Sequence, residues 1–267
     1  MKDIIPITEF FDDEPHLTPQ KTRQHTVSRD DKPGRLKRLG INTAIITWLN
    51  DSDIEDLHLP DCDLFHLVLG LSGRLPVYIY KEKVLLVLMT VGAPNAAACV
   101  EELGYYGVKN FIAFGTAGCI DPNFDTSKLV IVERAIRDEG TSYHYLPPSV
   151  FVETDPEITN IIEKGLAKHN FSAVRGTAWT TDAFYRETYK RTSRRLEQGA
   201  IAVEMECAAF AAAAKRLGLR FGEFLFFSDA VANEGWKLIA VGDSDRVMKR
   251  ELIKTALEMN AETQKLK

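Results

Sequence analysis

The 267-residue sequence predicts a single three-layer α/β/α domain. Three observations carry that prediction. Short β-rich runs alternate with helical stretches from residue 43 onward, those runs are apolar throughout, and no repeat, linker or low-complexity segment divides the chain. Strands that are apolar on both faces need cover on both, so a central sheet is expected between layers of helices.

Residues 1–42, rich in Lys, Arg, Asp and Pro, read as an N-terminal arm, which leaves 43–267 as the α/β domain. The expected strands are Thr43 to Trp48, Val77 to Tyr80, Lys83 to Met89 after a Lys-Glu-Lys turn, Asn110 to Phe114, Lys128 to Val132, Ala200 to Val203, and Phe221 to Phe227. Pro94 to Leu103 predicts a helix, because Pro suits a first helical position and Ala96, Ala97, Val100 and Leu103 recur at helical spacing. The Ala-rich run from Glu206 to Leu217 predicts a second helix that stops at Gly218. A third, from Asp243 after Gly242 to about Gln264, places Met248, Leu252 and Ala256 on one stripe.

The charge balance, 33 basic against 38 acidic residues for a net −5, provides no overall positive field for nucleic acid or an anionic membrane. A small-molecule partner is favoured. Cys62, Cys99, Cys119 and Cys207 are scattered without a C-x-x-C pair or a histidine cluster, so they read as reduced structural thiols with no metal site. The N-terminus carries acids where a secretory signal needs an apolar run, and no stretch is long enough to span a membrane. A cytoplasmic location is expected.

Polar residues gather directly after the apolar strands, where open α/β sheets bind their ligands. After the strand ending at Phe114 come Gly115-Thr116-Ala117-Gly118, which serve equally as a turn or as a close-approach site for a phosphate or sugar oxygen. The loop Arg137 to Tyr145 contains His144, which fits a structural histidine better than a general base without a positioned partner. In the segment Thr180 to Glu187, Phe184 can stack on a flat heterocycle or fill a core. Glu204-Met205-Glu206 lies at a strand-to-helix junction, where a carboxylate can accept both hydroxyl hydrogens of a ribose and a thioether can lie under the sugar. A helix-start acid would explain one of the two glutamates, not the pair. Ser228-Asp229 closes the last apolar strand and places a carboxylic acid at the mouth of the sheet, able to protonate a leaving base.

The ordered series G-x-P-x-A at 92–96, G-T-A-G at 115–118, D-x-F-Y at 182–185, V-E-M-E at 203–206 and S-D at 228–229 resembles that of the nucleoside phosphorylase superfamily over roughly residues 43–252. The resemblance implies one α/β/α domain with a mixed, distorted sheet, a homo-oligomer whose sites are shared between subunits, and cleavage of a nucleoside's N-glycosidic bond. The leading expectation is phosphorolysis of a purine-leaning ribonucleoside, with inorganic phosphate as co-substrate and no metal or organic cofactor. It further implies that Glu206 grips the ribose hydroxyls, Met205 packs beneath the sugar and Glu204 supports them. Gly115 and Thr116 would receive phosphate, Phe184 would stack on the base, and Asp229, beside Ser228, would serve a ring nitrogen of the leaving base that pyrimidines lack.

Two departures from the family pattern bear on phosphate. Ala113 stands where many members carry an arginine, and residues 49–53 lack the family's G-D-P-x-R loop, although Asp31-Lys32-Pro33-Gly34-Arg35 looks similar. Arg74, near the region from which relatives lend an arginine across the subunit interface, and Arg137 are the candidate replacements. Thr188, Lys190 and Arg191 lie roughly where uridine-specific relatives read the base. Hydrolysis in place of phosphorolysis, a uridine-type phosphorylase, and a non-catalytic nucleoside-binding protein are the alternatives.

Overall fold

The computed structural model describes residues 7, 13–23, 32–49, 62–68, 74–232, 235–239 and 243–266. Within them, eleven strands form one mixed sheet: β1 (Thr43–Thr47), β2 (Cys62–Val68), β3 (Arg74–Tyr80), β4 (Val84–Leu88), β5 (Asn110–Cys119), β6 (Leu129–Asp138), β7 (Phe151–Glu153), β8 (Ala173–Thr181), β9 (Ala200–Glu204), β10 (Arg220–Ala232) and β11 (Gly235–Leu238). β10 pairs with both β5 and β6, β6 with β8, β8 with β9, and β9 with β5, so these five close into a ring. From β5 the sheet continues outward through β1, β4, β3 and β2. Parallel pairs (β1–β5, β5–β10, β6–β8) sit beside antiparallel ones (β5–β9, β6–β10), which makes the sheet mixed and strongly distorted.

The expected burial on both faces is present: β1 and β4 are buried along their whole length. On one face the helices Ala93–Tyr105 and Cys207–Arg216 pack with Phe111, Phe221 and Leu225 into the larger core. Phe210 and Phe221 stack there at 5.0 Å with an interplanar angle of 8°, an arrangement worth about 0.5–1.5 kcal/mol beyond area burial. On the other face Pro156–Lys168 and Asp243–Thr263 cover Ile45, Ile112, Phe114 and Phe224. The first of these helices starts as capping rules require, with Asp155 accepting from the amides of Glu157 and Ile158 and Pro156 in the first turn.

The sequence-based reading had no strand for Ala173–Thr181 and no helix for Pro156–Lys168 or Tyr189–Glu197. β8 is hidden locally because Arg, Gly and five Thr or Ala residues dilute its apolar signal; pairing on both sides with β6 and β9 overrides that weak propensity. The stretch 1–42, read as an arm, contains the helix Lys32–Leu39, whose Leu36 is only 1% exposed within the larger core. Gly242 and residues 50–53 lie outside the described residues. No described helix is long and apolar enough to cross a membrane. Cys99, Cys119 and Cys207 are buried and unpaired.

Candidate active site

The cleft forms where β1, β5, β9 and β10 converge, and has a volume of ≈ 290 Å³. β5 does not end at Phe114. It runs on through Gly115-Thr116-Ala117-Gly118 to Cys119, because Leu225 to Ala230 of β10 pair alongside it. The glycines therefore serve close approach within a strand and not a turn. A side chain on Gly118 would place its Cβ 3.2 Å from Asp229 Oδ2 and 3.0 Å from Val203 Cγ1.

Asp229 reaches the cleft because β10 is irregular between Phe227 and Asp229: Phe227 pairs with Ala117, Asp229 pairs with Gly118, and Ser228 is left over. Such a bulge re-aims side chains, and here both Ser228 and Asp229 line the cleft. Ser228 Oγ donates to Asp229 Oδ1 at 2.7 Å and Trp236 Nε1 donates to Oδ2 at 3.0 Å, so both carboxyl oxygens are held.

At the opposite wall, Glu204 ends β9 and Glu206 precedes the helix Cys207–Arg216. Glu204 is a helix-start acceptor: Oε2 takes the amide hydrogens of Glu206 at 2.6 Å and Cys207 at 2.7 Å, and Oε1 accepts from the Thr180 hydroxyl. It thereby anchors the turn that presents Met205 and Glu206, and all three line the cleft. Glu206 Oε1 accepts from the amide of Gly92, whose φ of 116° lies in the region open to glycine. That bond ties the G-x-P-x-A helix start to the V-E-M-E junction.

Burial pushes the Glu204 carboxyl up to about 7, and burial together with the charge of Glu204 pushes Glu206 up to about 8. Burial also raises Glu223, with the charge of Glu204 adding to it, and Glu187 rises to about 7 through burial and the charge of Asp229. The physical cause is shared: carboxyls removed from water beside like charges favour their neutral forms. Because the folded-state values lie above 4.5, the folded protein binds more protons than the unfolded chain from about pH 4.5 to about 8. The contribution of these groups to stability is present in full below pH 4.5 and is lost as pH rises toward 8. Thermal melts across that range are expected to show a falling Tm, and Glu206→Gln to flatten part of the fall; a wild-type Tm that rises toward pH 8 would contradict the acid cluster.

Of the residues expected at the site, Gly115, Thr116, Phe184, Glu204, Met205, Glu206, Ser228 and Asp229 line one cleft. Phe184 is 50% exposed, so it is a surface of the cleft and not core. The two candidate arginines are not among its lining residues. Arg137 is buried and spent on its own loop, donating to Ser142 Oγ, Ser149 Oγ and the carbonyls of Leu146 and Pro147. Arg74 begins β3, separated from β5 by β4 and β1. Arg35 of the D-K-P-G-R segment lies on the helix Lys32–Leu39 and pairs with Asp63, while Asp31 falls outside the described residues. His144 is exposed.

Lining residues that the sequence reading did not single out include Trp48 and Glu223, and Glu187 was read only as the end of the Thr180–Glu187 segment. Trp48 follows β1 directly, and its position at a strand's carboxyl end was the available signal. Its ring lies over Gly115, with Cε3 2.7 Å from where a Cβ would stand, and meets Phe210 edge-on at 6.2 Å. Gly115 and Trp48 both line the cleft. Glu223 is a lone acid inside FGEFLFF, a run read as apolar throughout, and is 1% exposed. No group of three or more His, Cys, Asp or Glu among the described residues is placed to hold a metal ion.

The mixed α/β sheet carries a carboxylate-lined cleft at its strand ends, where the motif series implies a site. A match to the phosphorylase superfamily spans residues 63–259, and the chain belongs to that superfamily. It is 34% identical over 134 residues to a guanosine phosphorylase of Halorubrum lacusprofundi, covering 49% of this chain and 55% of that one. It is 27% identical over 159 residues to a uridine phosphorylase of Haemophilus influenzae, covering 54% of this chain and 63% of that one. These matches span somewhat over half the length of each relative. The fold matches a crystal structure of purine nucleoside phosphorylase from Toxoplasma gondii in complex with immucillin-H, with a TM-score of 0.70 at 18% identity over 85% of this chain and 92% of that one.

Proposed function

We propose that this chain is a pentosyl-transferring enzyme that cleaves the N-glycosidic bond of a ribonucleoside, with a preference for purines. The observation that carries the reading is the placement of Glu206 and Asp229 in one cleft with Met205 and Phe184. Glu206 offers an acceptor to the ribose hydroxyls, Met205 a soft surface for the sugar, and Phe184 an exposed ring for the base. Asp229, held at both oxygens, can serve an imidazole ring nitrogen of the leaving base that purines possess and pyrimidines lack. Positive charge grows at C1′ as the bond breaks, and the oxygen dipoles of the surrounding carboxyls are placed to favour it.

Kinship with guanosine and uridine phosphorylases supports phosphate as the acceptor, giving free base and ribose 1-phosphate, with no organic cofactor required. The test is base release from inosine, adenosine, guanosine, uridine and thymidine: cleavage of purine ribosides above the others is expected, and binding of all five without cleavage would sink the enzymatic reading. The chain is further proposed to assemble as a homo-oligomer with the segment around Arg74 in the interface. Sedimentation at micromolar concentration is expected to give a multiple of the monomer mass; a fully active monomer would contradict it.

A further inference from the structure

We infer that a second cavity, continuous with the base end of the cleft, receives an apolar substituent on the 6-amino group of a purine, which makes N6-substituted adenosines substrates. This rests on the cleavage of purine ribosides proposed above.

Glu187 lines both cavities, and the second, of ≈ 350 Å³, has Tyr189, Thr192, Val231 and Trp236 among its walls. It is larger than the ≈ 290 Å³ cleft itself and holds far more than a few ordered waters need. The shared Glu187 comes three residues after the Phe184 assigned to the base, whereas Met205 and Glu206, assigned to the sugar, line the cleft alone. The added space therefore opens beyond the base and not beyond the ribose.

Strand geometry carries the cleft into this cavity. Val231 follows Asp229 by two residues on β10, so both side chains stand on one face of the strand. A Cβ on Gly118 would meet both, 3.2 Å from Asp229 Oδ2 and 3.4 Å from Val231 Cγ2. Trp236 pairs with Val231 across the β10–β11 hairpin and donates from Nε1 to Asp229 Oδ2 at 3.0 Å. Its indole thus links the acid of the cleft to the wall of the second cavity. Glu187, raised to about 7 by burial and by the charge of Asp229, stands at the same junction.

Purine chemistry selects the substituent. The imidazole nitrogen that Asp229 can serve and the 6-amino group lie on one edge of the purine, so a base held at Asp229 directs that amino group toward the junction. A monosubstituted amino group keeps one N–H, for which a Glu187 oxygen is an acceptor in either charge state. The substituent then enters a space walled by two large rings, Tyr189 at 69% and Trp236 at 62% exposed, which are available to cover an apolar or aromatic group. Thr192 Oγ1, buried and without a hydrogen-bond partner among the described residues, offers a polar contact on the same wall.

The test compares adenosine with N6-benzyladenosine on the full chain, by kcat/KM for base release. N6-benzyladenosine is expected to be cleaved with a kcat/KM at least equal to that of adenosine. Tyr189→Ala is expected to lower that value by roughly tenfold, and Thr192→Trp, which fills the cavity, to lower it further, each with adenosine cleavage unchanged. Should Thr192→Trp lower Tm, Tyr189→Ala decides alone, because its ring is mostly exposed. Cleavage of adenosine with exclusion of N6-benzyladenosine, whether by the shape of the cavity or by a second copy of the chain seated over it, would overturn the inference and leave the proposed function standing. Equal effects of Tyr189→Ala on the two substrates, or none on either, would do the same. Cleavage of uridine but of no purine riboside would overturn the purine preference and the inference with it, and no cleavage of any nucleoside would overturn the enzymatic reading as well.

Discussion

Asp229→Asn lowers turnover of natural purine nucleosides by roughly 10²–10⁴, the range typical of general acid catalysis. The fold is expected to survive, since Asn keeps an oxygen and nearly the same shape between Ser228 Oγ and Trp236 Nε1. A nucleoside whose leaving group departs without protonation retains most of its rate, because the substitution removes help given only to a poor leaving group. Parallel kcat/KM measurements on the two substrate classes check this. If Asp229 only secured the Trp236 hairpin, both classes would suffer alike and Tm would fall with them. Equal losses accompanied by clear destabilisation would therefore retire the catalytic assignment.

Glu206→Ala has the second large effect. A ribose hydroxyl pair loses its acceptor, at a cost of about 0.5–1.5 kcal/mol per hydrogen bond to a neutral carboxyl, so kcat/KM on ribosides falls by roughly tenfold. The protein gains stability near pH 8, because a buried carboxyl raised to about 8 by burial and by Glu204 is removed. Activity lost while Tm rises separates a binding role from a structural one. Substitution of Glu204 behaves differently: its Oε2 holds the amides of Glu206 and Cys207 at the helix start, so Glu204→Ala costs stability together with activity. Unchanged kcat/KM for Glu206→Ala on every accepted riboside would exclude Glu206 from the site.

The sequence alone was enough to place the apolar strands, the Ala-rich helix and the cluster Gly115, Thr116, Glu204, Met205, Glu206, Ser228 and Asp229, because each of these signals is local. Apolar runs of four to seven residues and carboxylates at strand-to-helix junctions can be read from neighbours in the chain. What depends on partners distant in sequence could not be read that way. Pairing with β10 carries β5 through Gly115–Gly118 as strand, and the irregularity at Ser228 turns Asp229 into the cleft; both are matters of register between segments more than 100 residues apart. Arg137 had the residue type of an anion ligand, yet its guanidinium is consumed by the loop that follows it. Glu223 had the sequence context of core, yet the ring of strands brings it to the cleft with Glu204 and Glu206. Residue type determined which groups could do chemistry here, whereas tertiary packing decided which of them share a cavity, because only packing sets burial, charge neighbours and the partners left for a ligand to fill.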